Sequence, residues 1–407
     1  MIRLADVQRA RQRIRHSVRN TQLSRSRNLS EACGAEIYLK YENHQITGAY
    51  KERGALNKLL QLKPEERQKG VVSASAGNHA QAVAYHGQQL GIAVTLLMPK
   101  TTPKIKIANT RGHGAKVILH GENFDEAYEE ARRLEAEEGL VFVHPFDDPY
   151  VIAGQGTLAL ELLEQEPELD AIVVPIGGGG LIAGIAAVVQ SLSPHTRVYG
   201  VEAEVSASMR RSLDAGEPQV IEGARTLADG IQVKRPGEIT FAMIQELVED
   251  VVTVSEEELV RAVLFLLERD KTLVEGAGAA GAAALLAGRI PNIEGQRVAT
   301  ILCGGNIDLP VLDLIITRGL IMDHRLMRMT FRLPDRPGSL AELLQVIASS
   351  RGSVVEIQHH RIFTRSPYWE AKVTVTVETQ NRDHGDEILE TLTAAGFPPD
   401  ELEDEEG

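Results

Sequence analysis

Short apolar runs alternate with longer amphipathic stretches from Arg3 to about Gly319. Residues 71–73, 94–98, 116–119, 171–176, 198–201 and 298–302 are largely apolar and offer no continuous polar face. Such runs predict strands covered on both sides. Between them, residues 77–87, 124–138 and 256–268 repeat their apolar positions at helical spacing. That rhythm predicts parallel α/β sheets with helices on their faces. Glycine-rich turns stand where several strands end, which is where open sheets of this kind bind ligands. At the start of the chain, Asp6 is placed to cap an amphipathic helix running to about Val18, with arginines on its wet face.

Near residues 321–325 the pattern changes. Residues 328–333 predict a strand, 337–350 a helix, 354–361 a second strand, 368–378 a strongly alternating third strand, and 383–395 a second helix. This βαββα order describes a small α+β module of ferredoxin-like type. After it, Gly396-Phe397-Pro398-Pro399 and the acidic residues 401–406 offer no apolar run for a last strand and read as a solvated end. The expected division is therefore 1–320, with a smaller subdomain at about 45–150, followed by a module at 326–402.

A chain of 407 residues exceeds one ordinary core, in keeping with that division. Its formal net charge of -14 argues against nucleic acid or an anionic membrane as partner. The charge also means that a bound phosphate would need a strong local trap. No stretch approaches the roughly 20 unbroken apolar residues of a membrane span. Two cysteines, Cys33 and Cys303, give no disulfide framework and fit a reducing cytoplasm.

Four segments carry candidate chemistry. Lys51 lies in Thr47-Gly48-Ala49-Tyr50-Lys51-Glu52-Arg53-Gly54-Ala55, where Gly48 and Ala49 leave room for close approach and Tyr50 can exclude water. Alone, it reads more readily as an exposed lysine in the first turn of a helix. A desolvated lysine, however, loses proton affinity and becomes a nucleophile and base. Ser75-Ala76-Gly77-Asn78-His79 joins a strand to a helix, so its backbone N–H groups, Ser75 and Asn78 can hold a carboxylate. Gly177-Gly178-Gly179-Gly180 lies between a buried strand and a helix beginning near Leu181. No lysine or arginine stands in that run, so its backbone would have to be the phosphate trap. Taken by itself, Gly178 to Ala183 also fits the G-x-G-x-x-A dinucleotide fingerprint, with Glu202 at a suitable distance. Cys303 ends an apolar run before Gly304-Gly305-Asn306. It is either a small buried hydrophobe or a weak partner for a ring nitrogen. Lysine, polar loop, phosphate cradle and thiol together describe one pyridoxal-phosphate site, which the dinucleotide reading does not account for.

Across nearly its whole length the chain resembles the threonine dehydratases (threonine ammonia-lyases) of the tryptophan-synthase-β-like, fold type II pyridoxal-phosphate group. The resemblance rests on residues 47–55, 75–81, 152–157, 175–184, 226–230 and 303–308. It implies an α/β fold of two parallel-sheet subdomains and β-elimination from an amino-acid substrate. It also implies that Lys51 holds the cofactor covalently, Asn78 meets its ring oxygen, Gly177, Gly178, Gly179, Gly180 and Leu181 cradle its phosphate, and Cys303 faces its ring nitrogen. Ser75, Asn78 and His79 would meet the substrate. The C-terminal module resembles an ACT domain, whose turn Asp335-Arg336-Pro337-Gly338-Ser339 would take a small amino acid such as isoleucine or valine. In that turn Asp335 suits a helix N-cap and Pro337 the first turn. A homodimer or homotetramer is expected, since one such module leaves its ligand surface half-built. Serine racemases are similar too, but they carry a serine, acting as a second base, at the position matching Ala76. Of their metal site Glu202 is kept, while Ser208 stands where a carboxylate is expected, so a bound metal is left open.

Overall fold

The six apolar runs all form strands, divided between two sheets. In the computed structural model, which describes residues 2–222, 225–361 and 368–403, the chain separates into two compact units, Met1–Asp308 and Leu309–Gly407. Among the described residues of the first unit, one sheet has four parallel strands in the order Lys116–Leu119, Val94–Met98, Val71–Ala74, Val141–Phe142. The other has six, in the order Leu23–Arg25, Glu36–Lys40, Arg297–Ile301, Ala171–Pro175, Arg197–Ala203, Asp250–Val254. All its neighbours are parallel except the first pair.

Val71–Ala74 and Ala171–Pro175 are buried at every position, as a strand covered on both faces must be. Lys116–Leu119 departs from that expectation. It is half-buried at best, because it is an edge strand with Lys116 turned to solvent. Helices Phe124–Glu138 and Glu256–Glu268 have the predicted bounds because both ends carry clear signals. Asn123 and Ser255 accept the N–H groups of Glu126 and Glu258, and Gly139 ends the first helix at φ 67°. The first helix is shorter than expected, Leu4–Ile14, and Asp6 lies inside it rather than at its cap. From there its carboxylate accepts the Arg3 N–H at 2.9 Å.

The topology gathers three candidate segments at the carboxyl ends of strands. Ser75 follows Val71–Ala74, the glycine run follows Ala171–Pro175, and Cys303 follows the adjacent Arg297–Ile301. Lys51 reaches the same place on helix Lys51–Leu60, whose leading residue Ala49 forms an antiparallel bridge with Gly304.

The second unit begins with helix Leu309–Met322 and continues as Leu326–Pro334, Ser339–Ser349, Ser353–His360, Glu370–Glu378, Arg382–Ala394 and Glu401–Glu403. Its antiparallel sheet runs Ser353–His360, Glu370–Glu378, Leu326–Pro334, Glu401–Glu403. Phe331, Val375, Leu343 and Ile388 are among the side chains that fill its core. The expected missing last strand is therefore corrected: Leu402 pairs opposite Met329 and packs on the core. The acidic segment can do so because basic residues flank it, Asp400 meeting Arg332 at 3.2 Å and Glu401 meeting Lys372 at 3.2 Å. Residues 404–406 of the acidic end lie outside the described residues. The N-cap reading of Asp335 is also corrected. The helix starts at Ser339 after Gly338 at φ 100°, Pro337 precedes it, and the Asp335 carboxylate accepts instead from Arg361 at 3.0 and 3.1 Å.

Candidate active site

Lys51 opens its helix with Tyr50 behind it, and its amine donates to the Pro145 carbonyl at 3.0 Å. Burial pushes that amine down to about 8, against the opposing pull of Cys303 and Glu275. Backbone contacts lace the segment to the Cys303 loop: Tyr50 N–H donates to the Cys303 carbonyl at 3.1 Å, and Gly305 N–H to the Gly48 carbonyl at 3.0 Å. Gly48 takes φ 74° there, a conformation that favours glycine. The Cys303 thiol donates to the Ala277 carbonyl at 3.3 Å, and burial holds it far above the usual thiol range. It stays protonated.

Asn78 begins helix Asn78–Gln89 and spans between two partners. Its Nδ2 donates to Glu275 Oε1 at 2.6 Å, and its Oδ1 accepts from Asn306 Nδ2 at 2.8 Å. One Asn78 N–H remains, because an amide nitrogen carries two. Ser75 Oγ accepts the Gly77 N–H at 3.3 Å. His79 is buried, with Nε2 donating to the Val143 carbonyl at 3.2 Å and Nδ1 without a partner. Burial and the nearby Lys51 push it down to about 3, so it is neutral.

The glycine run is a shaped cradle. A Cβ on Gly178 would overlap the Phe146 ring, one on Gly180 would come within 2.9 Å of the Phe146 carbonyl oxygen, and Gly179 takes φ 92°. Among the described residues, no oxygen accepts the N–H groups of Gly178, Gly179, Gly180 or Leu181, which lead into helix Gly180–Leu192. Unpartnered amides converging at a helix N-terminus are what an anionic phosphate requires. Together with a near-neutral amine and a neutral thiol, these residues fit pyridoxal phosphate. The dinucleotide reading is weaker here, since the Glu202 carboxylate is engaged by the Met209 and Arg210 N–H groups at 2.9 and 2.8 Å. No group of three or more His, Cys, Asp or Glu suited to a metal ion occurs among the described residues.

The sequence pattern of the pyridoxal-phosphate-dependent enzyme family matches residues 14–304, and that of the ACT domain matches residues 328–397. The chain belongs to the pyridoxal-phosphate-dependent enzyme family. An L-threonine ammonia-lyase of Thermotoga maritima is 47% identical over 397 residues, 98% of each chain. The solved structure of the processed form of threonine deaminase isoform 2 from Solanum lycopersicum superposes with a TM-score of 0.74 at 37% identity, over 77% of this chain and 86% of that one. Serine racemase from Dictyostelium discoideum gives 0.71 at 35% identity, over 75% and 99%. As a member of this family, the enzyme uses pyridoxal phosphate.

Sequence reasoning missed two parts of the site. Glu275 lies at the bonding centre of the Asn78 loop; its only signal is a lone acid before the small-residue run Gly276-Ala277-Gly278. The second is a buried ion cluster behind Lys51. Arg53 contacts Glu42 at 2.7 Å and Glu161 at 2.7 Å, and Lys40 contacts Glu161 at 2.8 Å. Nothing local in the sequence distinguishes those charges from surface ones. Among the described residues no helix is long and apolar enough to cross a membrane.

Proposed function

We propose that the enzyme eliminates water from L-threonine and releases 2-oxobutanoate and ammonia, with L-serine a slower substrate giving pyruvate. The observation that carries this reading is Lys51, a buried amine near neutrality held by a single carbonyl contact and laced to the Cys303 loop. The threonine ammonia-lyase relative that spans 98% of both chains supports the substrate.

Lys51 would be the covalent anchor for pyridoxal phosphate, Gly177 to Leu181 would hold its phosphate, Asn78 would serve its ring oxygen and Cys303 its ring nitrogen. When bound, the group accepts the electron pair left at the substrate Cα. Ser75 and the N–H groups opening helix Asn78–Gln89 orient the substrate carboxylate. The Lys51 amine, when free, would take the Cα proton, and a single base on one face suffices. Cys303, protonated and a weak donor, supplies no strong proton to the ring nitrogen, which favours rapid loss of the Cβ hydroxyl over a long-lived charge at Cα. The water lost at Cβ is regained when the nitrogen leaves as ammonia. Purified protein should be yellow, and Lys51→Ala should lose both the colour and 2-oxo acid formation. Full turnover in that variant would overturn the assignment.

The C-terminal unit is a regulatory module in which the turn at Asp335, Pro337 and Gly338 takes isoleucine or valine, within a homodimer or homotetramer. Strand Ser353–His360 supports pairing between copies. Every residue along it is exposed, Val355 at 61%, and its outer edge carries no neighbour among the described residues. Removing the chain after Met322 should leave threonine turnover intact and abolish any response to isoleucine or valine. Unchanged activity and assembly of the full-length enzyme across both amino acids would refute the regulatory half alone.

A further inference from the structure

We infer that Glu275 is a positioning residue for the elimination: its carboxylate fixes the Asn78 amide and supplies a negative charge that favours the protonated state of the Lys51 nitrogen. The reaction it serves is the one proposed above; the placement itself stands on geometry. Glu275 immediately precedes helix Gly276–Leu286 and is 5% exposed. Its N–H donates to the Gly304 carbonyl at 3.1 Å. Two glycines make its slot, because a Cβ on Gly304 would overlap Oε1 and one on Gly230 would lie 3.3 Å from it.

The direction of the hydrogen bonds follows from one end. Asn306 Nδ2 donates to the Thr47 carbonyl at 2.8 Å, and a carbonyl can only accept, so the Asn306 amide has one orientation. The same nitrogen donates to Asn78 Oδ1, which turns Asn78 Nδ2 towards Glu275. Only an acceptor at position 275 completes that chain, and completing it aims the second Asn78 N–H.

The charge argument is by elimination among the groups that face Lys51. Burial holds the Cys303 thiol and the Tyr50 phenol well above their usual ranges, so neither ionises near neutral pH. Burial also pushes His79 down to about 3 and His144 to about 4, so both are neutral. Glu275 is the remaining group acting on Lys51 that can be negative. Burial and then Asp229 push its carboxyl up to about 7, while Asn78, Lys106 and the Asn306 N–H hold it down.

The test compares full-length holoenzyme with Glu275→Gln, which keeps the shape without the charge, and Glu275→Asp, which keeps the charge in a shorter side chain. The readouts are the pH midpoint at which the Lys51-bound cofactor loses its visible colour, kcat and KM on threonine, and the thermal midpoint. An anion stabilises a nearby cation, so Glu275→Gln should lower the colour midpoint by about one pH unit. It should also reduce kcat about tenfold with KM within about twofold. Glu275→Asp should keep the wild-type colour midpoint. A Gln variant with wild-type midpoint and kcat overturns the inference, as does a loss of thermal stability in both variants with no movement of the midpoint. Should the Gln variant not fold, Glu275→Ala decides: a lowered midpoint supports the charge role and a wild-type midpoint refutes it. If wild-type enzyme leaves threonine untouched while the midpoint still moves, the proposed reaction fails and the placement of Glu275 stands.

Discussion

Lys40 and Lys51 both lie inside the first unit, and burial lowers the proton affinity of both, yet their surroundings are opposites. Lys40 meets Glu161 at 2.8 Å, the Thr21 carbonyl at 2.7 Å and Gln165 at 3.0 Å, so each of its three N–H groups has a partner. Arg53 completes that cluster by contacting both Glu42 and Glu161, two cations facing two carboxylates. Lys51 has one carbonyl. A buried amine whose bonds are all satisfied is fixed in place, whereas one left nearly unpaired can change partners, as a nucleophile must. The two sites are also joined in sequence, since Arg53 follows Lys51 by two residues in the same helix and its bonds to Glu42 and Glu161 pin that helix.

Exchanging the two lysines in turn tests the contrast most severely. Lys51→Ala should reduce 2-oxo acid formation by at least about a thousandfold. Its thermal midpoint should stay close to wild type. Lys40→Met should do the reverse, costing roughly 1–3 kcal/mol in urea titration for the lost hydrogen bonds while kcat holds. If Lys40→Met were the inactive variant and Lys51→Ala the active one, the assignment of roles would be wrong. Arg53→Met should cost stability most, about 3–5 kcal/mol, because Glu42 and Glu161 would share one remaining cation. The loss should be greatest at neutral pH. Glu42 is held below its ordinary range in the fold, so its stabilisation is present above the unfolded carboxylate value and lost as pH falls through the folded one.

The same contrast explains what the sequence could disclose. The strands of the central sheets were legible because burial on both faces leaves no exposed polar face, as in Val71–Ala74, whose one hydroxyl, Ser73, donates to the Val143 carbonyl. Leu23–Arg25, Glu36–Lys40 and Asp250–Val254 were not, because each carries a charge at one or both ends. Lys40 ends one of them, and a charge in a strand reads as an exposed face unless its partner Glu161, far along the chain, is known. The glycine run and Lys51 stood out because close approach and reactivity require particular residues at particular positions. Glu275 did not, since its meaning comes from Asn78 and Gly304, which only the fold brings to it.

A smaller effect should appear in how the cofactor loads. Lys51 reacts only as the free amine, and its value of about 8 sets the window. Apoprotein should combine with pyridoxal phosphate about tenfold faster for each pH unit gained below about 8, then level off. His79 and His144, at about 3 and about 4, titrate too low to contribute there. Stopped-flow absorbance would measure the rate; a flat profile between pH 6 and 8 would place the Lys51 amine well outside that window.

The smallest effect expected is also the most specific. Ala76 sits partly exposed between Ser75 and Gly77, packed against the core of the smaller sheet, and has no proton to give. On the proposed mechanism Lys51 is then the single base, and a proton removed by it can return only to the same face. Ala76→Ser adds one hydroxyl to that loop at the cost of one small atom, so the fold and the Lys51 geometry should persist. Chiral analysis of serine after incubation should reveal D-serine forming at roughly a hundredth of the rate of pyruvate, the scale of a newly introduced and unoptimised proton donor. Elimination itself should change by no more than about twofold. D-serine from the unaltered enzyme at a comparable rate would mean that a second proton donor already serves the opposite face, and the contrast between one reactive amine and its inert surroundings would fail.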